Sequence, residues 1–152
     1  MPISKVVMFC DGGARGNPGP AGIGAALFVE SDAGELEEFA SVSEYIGTGT
    51  NNEAEYAALI AGLEVALEYG ASDIEVRADS ELIVRQLSGQ YRVKSANLKP
   101  LHAKAMSLLG SFESWRANHV AREQNRRADS LVNDALDAHL NSHLMRDKDT
   151  AT

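Results

Sequence analysis

Three strand-like segments joined by short turns fill the first 46 residues, before any helical pattern begins. Residues 3–10 are apolar and largely β-branched apart from Lys5, which is typical of a strand buried on both faces. The sequence Asp11-Gly12-Gly13 is expected to end that strand, and two more strands are expected at 22–30 and 36–46, on either side of a turn. Because short turns join neighbouring antiparallel strands, these segments predict an antiparallel meander.

Helical and strand-like segments alternate through the rest of the chain. The clearest helix is 51–69, where Thr50 and Glu53 fit a capping box and Gly70 ends the helix. Asn125 is expected to cap a last helix that ends near residue 139. Between these two helices we expect strands at 73–78 and 113–121 and helices at 80–87 and 98–109.

This order predicts one α/β domain over residues 1–140. Its mixed sheet would be antiparallel first and parallel where helices cross over. The polar tail, residues 141–152, is expected to be disordered.

Composition narrows the class of protein. Of the 152 residues 44% are hydrophobic, which is enough for one buried core. No apolar run is long enough to span a membrane, and the N-terminus lacks the layout of a signal peptide. The single cysteine, Cys10, cannot form an internal disulfide and is expected to be a small core residue. We therefore expect a cytoplasmic protein.

Charge is distributed unevenly along the chain. The net charge is −8, which on its own argues against a polyanionic ligand. Residues 1–80, however, carry 3 Lys/Arg against 14 Asp/Glu, whereas residues 84–128 carry 9 against 2. One interpretation is an unevenly charged, solvated surface, and the other is a cation site beside a phosphate-binding surface.

Two carboxylates lie on helix faces that should be buried. Glu55 shares its helical stripe with Leu59 and Leu63, and Asp129 shares one with Leu136. A carboxylate on a buried face is costly unless it is paired or bound to a cation. The alternative is that each acid reaches water at the start of its helix, where the helix dipole favours it.

Two further aspartates follow strand-like segments. Asp11 comes directly after the most apolar strand, and Asp79 follows the fourth, at the edge where open α/β sheets place their ligands. The alternatives are a turn-forming role for Asp11 and an N-cap role for Asp79. If the four acids converge, hard oxygen ligands without a Cys/His cluster select Mg²⁺ or Mn²⁺, and two such ions can clamp a phosphodiester. The pattern does not identify the substrate.

Four segments, in order, resemble a type 1 ribonuclease H. Each carries one of the four acids, and together they span most of the chain. They are Phe9–Gly13 with Gly16–Gly22, Thr50–Tyr56, Ala78–Ser80 with Gln86–Leu87, and Arg122–Asp129.

The resemblance implies a five-stranded mixed sheet with flanking helices and cleavage of the RNA strand of RNA–DNA hybrids. It implies that Asp11, Glu55, Asp79 and Asp129 bind two Mg²⁺ ions, with Mn²⁺ as a possible substitute. Asp11 would bridge both ions, Asp129 would hold the ion that carries the attacking water, and the products would have 5′-phosphate and 3′-hydroxyl ends. Family positions that touch the hybrid correspond to Asn17, Asn51 and Asn52, although plain helix capping is an alternative for the last two. We expect a monomer with no obligate protein partner.

The chain departs from the family pattern in two places. The basic insertion of many bacterial members is missing after the helix that follows Asp79, so this is a short form. The family's loop histidine has no counterpart, because His119 is expected to lie in a strand, and Arg122 is better placed to contact the substrate. Two other functions stay open: a non-catalytic hybrid-binding module, and a nuclease of the same superfamily that acts on double-stranded RNA or DNA junctions.

Overall fold

A five-stranded mixed sheet forms the centre of the molecule in a computed structural model, which describes the backbone of residues 4–150 and the side chains of residues 4–142. The strand order is β3-β2-β1-β4-β5, with β2 antiparallel to both of its neighbours and the β1–β4 and β4–β5 pairs parallel. This confirms the predicted fold class. The elements are β1 (Lys5–Ala14), β2 (Gly19–Glu30), β3 (Leu36–Gly49), α1 (Asn51–Glu68), β4 (Asp73–Ala78), α2 (Glu81–Leu87), α3 (Lys99–Leu109), β5 (Ser114–His119) and α4 (Arg126–Thr150), with a 3₁₀ turn at Arg122–Gln124.

The first strand differs from its prediction in length and in burial. It does not end at Asp11 but continues to Ala14, because Gly12 and Gly13 remain paired with β2. Its pairing with β4, in contrast, stops at Cys10. Asp11 therefore still lies at the carboxyl edge of the parallel half of the sheet. The expectation that both faces are buried is wrong, since alternate residues of β1 are only partly buried.

Helices cover both faces of the sheet, and glycines let them come close. On one face α1 packs against β1 and β2, and on the other α4 packs against β2, β3 and β1. A Cβ at Gly24 would stand 2.8 Å from the Cβ of Leu131 and 3.0 Å from the backbone nitrogen of Val132, so only glycine permits this spacing. The position of α4, and with it Asp129, depends on that close approach.

The start of α1 agrees with the boundary predicted from the sequence, whereas the end of α4 does not. The capping box of Thr50 and Glu53 at the start of α1 is confirmed. The end predicted near residue 139 for the last helix is wrong, because α4 contains no Gly or Pro and continues to Thr150. The predicted disorder of residues 141–152 falls mostly on residues outside the described side chains and stays a prediction. Within the described part of the chain, no helix is long and apolar enough to cross a bilayer.

Candidate active site

Four different elements bring the predicted acids to one edge of the sheet. Asp11 lies on β1 and Asp79 follows the end of β4 directly, while Glu55 and Asp129 lie near the starts of α1 and α4. Oxygens of Asp11, Glu55 and Asp79 all lie within 4.8 Å of one another. Asp129 is in hydrogen-bonding contact with the Asp11 carboxyl group. All four acids line the same open cleft, whose volume is about 600 Å³.

Burial and mutual repulsion disfavour ionisation in this cluster. Burial and the neighbouring Asp79 charge raise the pKa of Asp11 to about 7. Burial, followed by the charges of Asp11 and Asp79, raises the pKa of Glu55 to about 9, although the positive charge of Arg122 acts in the opposite direction. Such carboxylates are stabilised in their charged form when a cation lies between them.

The donor set fits a hard divalent cation. Among the described residues, the group that could hold a metal ion offers carboxylate oxygens alone, which suit Mg²⁺ or Mn²⁺ better than zinc. Cys10 is close in sequence but is a buried free thiol, and burial raises its pKa well above the usual value. This agrees with its expected role as a core residue rather than a ligand.

Asn125 joins the first strand to the last helix at the site. Its side-chain NH₂ group donates to the backbone carbonyl of Cys10 at 2.9 Å, and its backbone carbonyl accepts from the backbone N–H of Asp129 at 3.1 Å. Asn125 occupies the predicted cap position, directly before α4, but its side chain does not make the capping bond, because its Oδ1 is buried without a hydrogen-bond partner. Asn125 instead fixes Asp129 next to Asp11.

A buried hydrogen bond ties the helix of Glu55 to the helix that follows Asp79. Tyr56, which is fully buried, donates its hydroxyl proton to Oε1 of Gln86 at 2.6 Å. A ring nitrogen of His102 lies 3.3 Å from the backbone carbonyl oxygen of the same glutamine. This network links α1, α2 and α3, so it fixes the helix that carries Glu55 against the helix that follows Asp79.

The three asparagines proposed to contact the hybrid lie together beside the acids. Oδ1 of Asn51 accepts from the backbone N–H of Ala14 at 2.8 Å, and Oδ1 of Asn17 accepts from the backbone N–H of Asn51 at 3.1 Å. With Asn52 they line a second cavity of about 420 Å³, together with Ser95 and Asn97, which sequence reasoning did not select. The side-chain cap of α1 comes from Thr50, so capping does not account for the side chains of Asn51 and Asn52.

Arg122 and His119 lie as the sequence suggested. Arg122 lies in the 3₁₀ turn and lines the acidic cleft. His119 is the last residue of β5, and its ring nitrogen is 3.2 Å from the backbone carbonyl oxygen of Asp79. It lines a different and smaller cavity, near α2.

The basic segment, residues 84–128, does not present all of its cationic side chains unpaired for phosphate binding. Three of its arginines form ion pairs: Arg85 with Glu81, Arg116 with Glu75, and Arg127 with Glu38. Within the cleft itself, the sequence analysis missed Arg15 and Asn133. Asn133 could have been found from its spacing, since it follows Asp129 by one helical turn and donates to its carboxylate at 3.3 Å.

A five-stranded mixed sheet that gathers four carboxylates at the edge of its parallel strands defines a ribonuclease H-like domain. Comparison with known proteins agrees. Residues 9–135 match the family described as "Reverse transcriptase-like". The ribonuclease HI of Halobacterium salinarum is 45% identical over 133 residues, covering 88% of this chain and 65% of that protein. A bifunctional protein of Mycobacterium tuberculosis is 45% identical over 134 residues, covering 88% of this chain and 36% of that protein.

A solved structure, LC11-RNase H1 in complex with an RNA/DNA hybrid, superposes with a TM-score of 0.80 at 44% identity, covering 89% of this chain and 99% of that one. The chain belongs to the type 1 ribonuclease H family. It spans about two thirds and about one third of the lengths of the two curated relatives named above.

Proposed function

We propose that this chain is an endonuclease that hydrolyses the RNA strand of RNA–DNA hybrids with two Mg²⁺ ions. The observation that carries the proposal is the convergence of Asp11, Glu55 and Asp79 within 4.8 Å, with Asp129 in contact with Asp11. A protein that only bound hybrids would not need a cluster of acids that repel both one another and a phosphate backbone. The match to a relative whose structure was solved with an RNA/DNA hybrid supports the choice of such a hybrid as the substrate.

Each acid has a distinct role in this proposal. Bound divalent cations would supply a water of lowered pKa and stabilise the charge on the departing oxygen. Asp11, which contacts acids on both sides, would help to hold both ions. Asp129 would hold the ion on the side of the attacking water, and Glu55 and Asp79 would hold the other. In-line attack would leave a 5′-phosphate and a 3′-hydroxyl.

Strand discrimination would come from the asparagine cavity beside the acids. Asn17, Asn51 and Asn52 present polar side chains where a minor groove can lie against them. The 2′-hydroxyl both donates and accepts hydrogen bonds, so it distinguishes RNA from DNA at such a surface. Arg122 would stabilise the phosphate charge, because its guanidinium stays protonated. A monomer without an obligate partner and a cytoplasmic location stay predictions.

The test is cleavage of end-labelled RNA–DNA hybrid, RNA–RNA duplex and DNA–DNA duplex, each with and without Mg²⁺. We expect Mg²⁺-dependent cleavage of the RNA strand in the hybrid alone. Asp129→Asn should abolish it, whereas Asp134→Asn, an exposed acid on the same helix outside the cleft lining, should not. Binding of hybrid without cleavage would favour the binding module, and preferred cleavage of another duplex would favour the other superfamily nucleases.

A further inference from the structure

Arg15 is the cleft residue that neither the sequence nor the mechanism above accounts for. Among the described residues lining the acidic cleft, the cationic side chains are Arg15 and Arg122. A phosphodiester strand that enters this cleft meets four carboxylates. Cations on its walls therefore decide how closely the strand can approach before the metal ions neutralise the acids.

The backbone of Arg15 is held firmly although its side chain is exposed. Its N–H donates to the carbonyl of Pro20 at 2.9 Å, which closes the loop between β1 and β2. The preceding N–H, that of Ala14, is bound by Asn51 at 2.8 Å. A Cβ at Gly19 would stand 3.0 Å from the carbonyl carbon of Arg15, so this loop is closely packed as well. The root of the side chain is thus fixed relative to both Asp11 and the asparagine cavity.

From this root the guanidinium reaches across to α4, where it lies 2.8 Å from a carboxylate oxygen of Asp137. Asp137 follows Asp129 and Asn133 at steps of four residues, so the three lie along one side of α4 beside the cleft. The pair is open to solvent, with side-chain exposures of 43% for Arg15 and 60% for Asp137. Exposed pairs of this kind add little stability, so the pair exchanges partners readily.

A phosphate is a better partner for Arg15 than Asp137 is. The fork of a guanidinium matches two oxygens of a phosphate or of a carboxylate, but the pair with Asp137 is weakened by its exposure to solvent, whereas a hybrid that covers the cleft would shield a phosphate contact from water. Exchange would also leave Asp137 free in water at little cost, because its side chain is already mostly exposed. Before binding, the same pair leaves the guanidinium beside the cleft, and it competes only weakly with a phosphate because both side chains are exposed.

We propose that Arg15 binds a phosphate of the cleaved strand next to the scissile one, on the Asp129 side of the cleft, and that Asp137 holds Arg15 in place until the hybrid arrives. This rests on the proposed function, since it takes the hybrid as the ligand. Arg15 is a substrate-binding residue here: it holds the strand in the cleft and takes no part in the proton or oxygen transfers.

Hybrid binding tests the proposal without cleavage, if it is measured by anisotropy of a labelled hybrid in Mg²⁺ on an Asp11→Asn background. Arg15→Gln should weaken binding roughly fivefold to tenfold and reduce the slope of log K against log salt by about one. Arg15→Lys should keep the salt slope but lose part of the affinity, because an ammonium group does not bind bidentately. Asp137→Asn should bind as tightly as the parent or more tightly.

The matched control is Glu38→Gln, which breaks the exposed pair between Glu38 on β3 and Arg127 on α4, outside the cleft lining. It should leave affinity and salt slope unchanged. In the otherwise wild-type protein, Arg15→Gln should raise KM in steady state and leave the single-turnover rate at saturating hybrid within about twofold.

Two results would overturn the proposal. One is an Arg15→Gln protein with the affinity and salt slope of Glu38→Gln, and the other is an Asp137→Asn protein as weakened as Arg15→Gln, which would make the pair a structural strap. Loss of the proposed function is a separate result, because it would be seen as failure of the wild-type chain to cleave the hybrid.

Discussion

Gly12 offers a sharp test of how the acidic cluster is assembled. It lies on β1, directly after Asp11, where the strand faces α1, and a Cβ at this position would overlap the backbone carbonyl of Ala54. The same Cβ would stand 2.6 Å from the backbone nitrogen of Glu55, whereas ordinary contact begins at 3.4 Å. In Gly12→Ala the start of α1 must therefore move away from β1 by about 1 Å, and Glu55 must move with it.

The displacement sets the expected magnitudes. Overpacking of this kind costs about 1–3 kcal/mol, which for a domain of this size corresponds to a fall in Tm of roughly 2–12 °C. A shift of about 1 Å in a metal-binding carboxylate should slow the chemical step about a hundredfold. The rate should be measured in single turnover at saturating hybrid and Mg²⁺, and thermal unfolding should be followed by circular dichroism.

Gly49→Ala is the matched control for this prediction. Gly49 ends β3 just before the cap of α1, but the nearest heavy atom to a Cβ there is 3.8 Å away, at Ala21. This variant should keep a normal rate and a normal Tm. If Gly12→Ala folds and cleaves within about threefold of Gly49→Ala, then the spacing between β1 and α1 does not set the position of Glu55 and the reasoning fails.

Three further predictions concern the site and its substrate surface. Asp11→Asn should abolish cleavage. Without metal, the variant should also lose less stability than the wild type as pH rises, since the raised pKa of about 7 means that folding favours the protonated acid. Urea unfolding at pH 5 and pH 8 in EDTA checks this, and a wild-type stability that does not decline more steeply than the variant's would contradict it. His119→Ala should reduce the single-turnover rate less than Arg122→Ala, because Arg122 lines the cleft and His119 does not; the reverse order would show that the histidine reaches the scissile phosphate. Neutralising Arg92 and Lys94 together should reduce the slope of log K against log salt for hybrid binding by roughly one per lost contact. An unchanged slope would show that these side chains are solvated and do not contact phosphates.

Local pattern was sufficient to predict most of the elements and all four acids. Glu55 could be singled out because its helical stripe is otherwise apolar, and the cleft shows that this acid is indeed partly buried beside two others. Its role, and the substrate, came from resemblance rather than from spacing. Each acid could be found from a local signal, since Asp11 and Asp79 follow apolar, strand-like segments and Glu55 and Asp129 lie near helix starts.

The errors came from contacts between distant parts of the chain. The strand β1 continues past Asp11 because β2 pairs with Gly12 and Gly13, and a local turn signal cannot report that pairing. Asn125 has the sequence context of a helix cap, but its side chain binds the carbonyl of Cys10, 115 residues away. Arg15 could not be selected at all, because its neighbour Asp137 comes from the far end of the domain.

The bond from Asn125 to Cys10 also bears on synthesis of the protein. The ribosome adds residues from the N-terminus, so all five strands and three of the acids emerge before Asn125 and Asp129 do. A growing chain can therefore build its sheet while its cluster still lacks the fourth carboxylate. Because α4 must then dock on β2 through Gly24, the complete cluster of four acids forms only after the start of the last helix has left the ribosome. A chain that has been made only as far as β5 therefore carries three of the four acids and cannot yet hold the complete cluster.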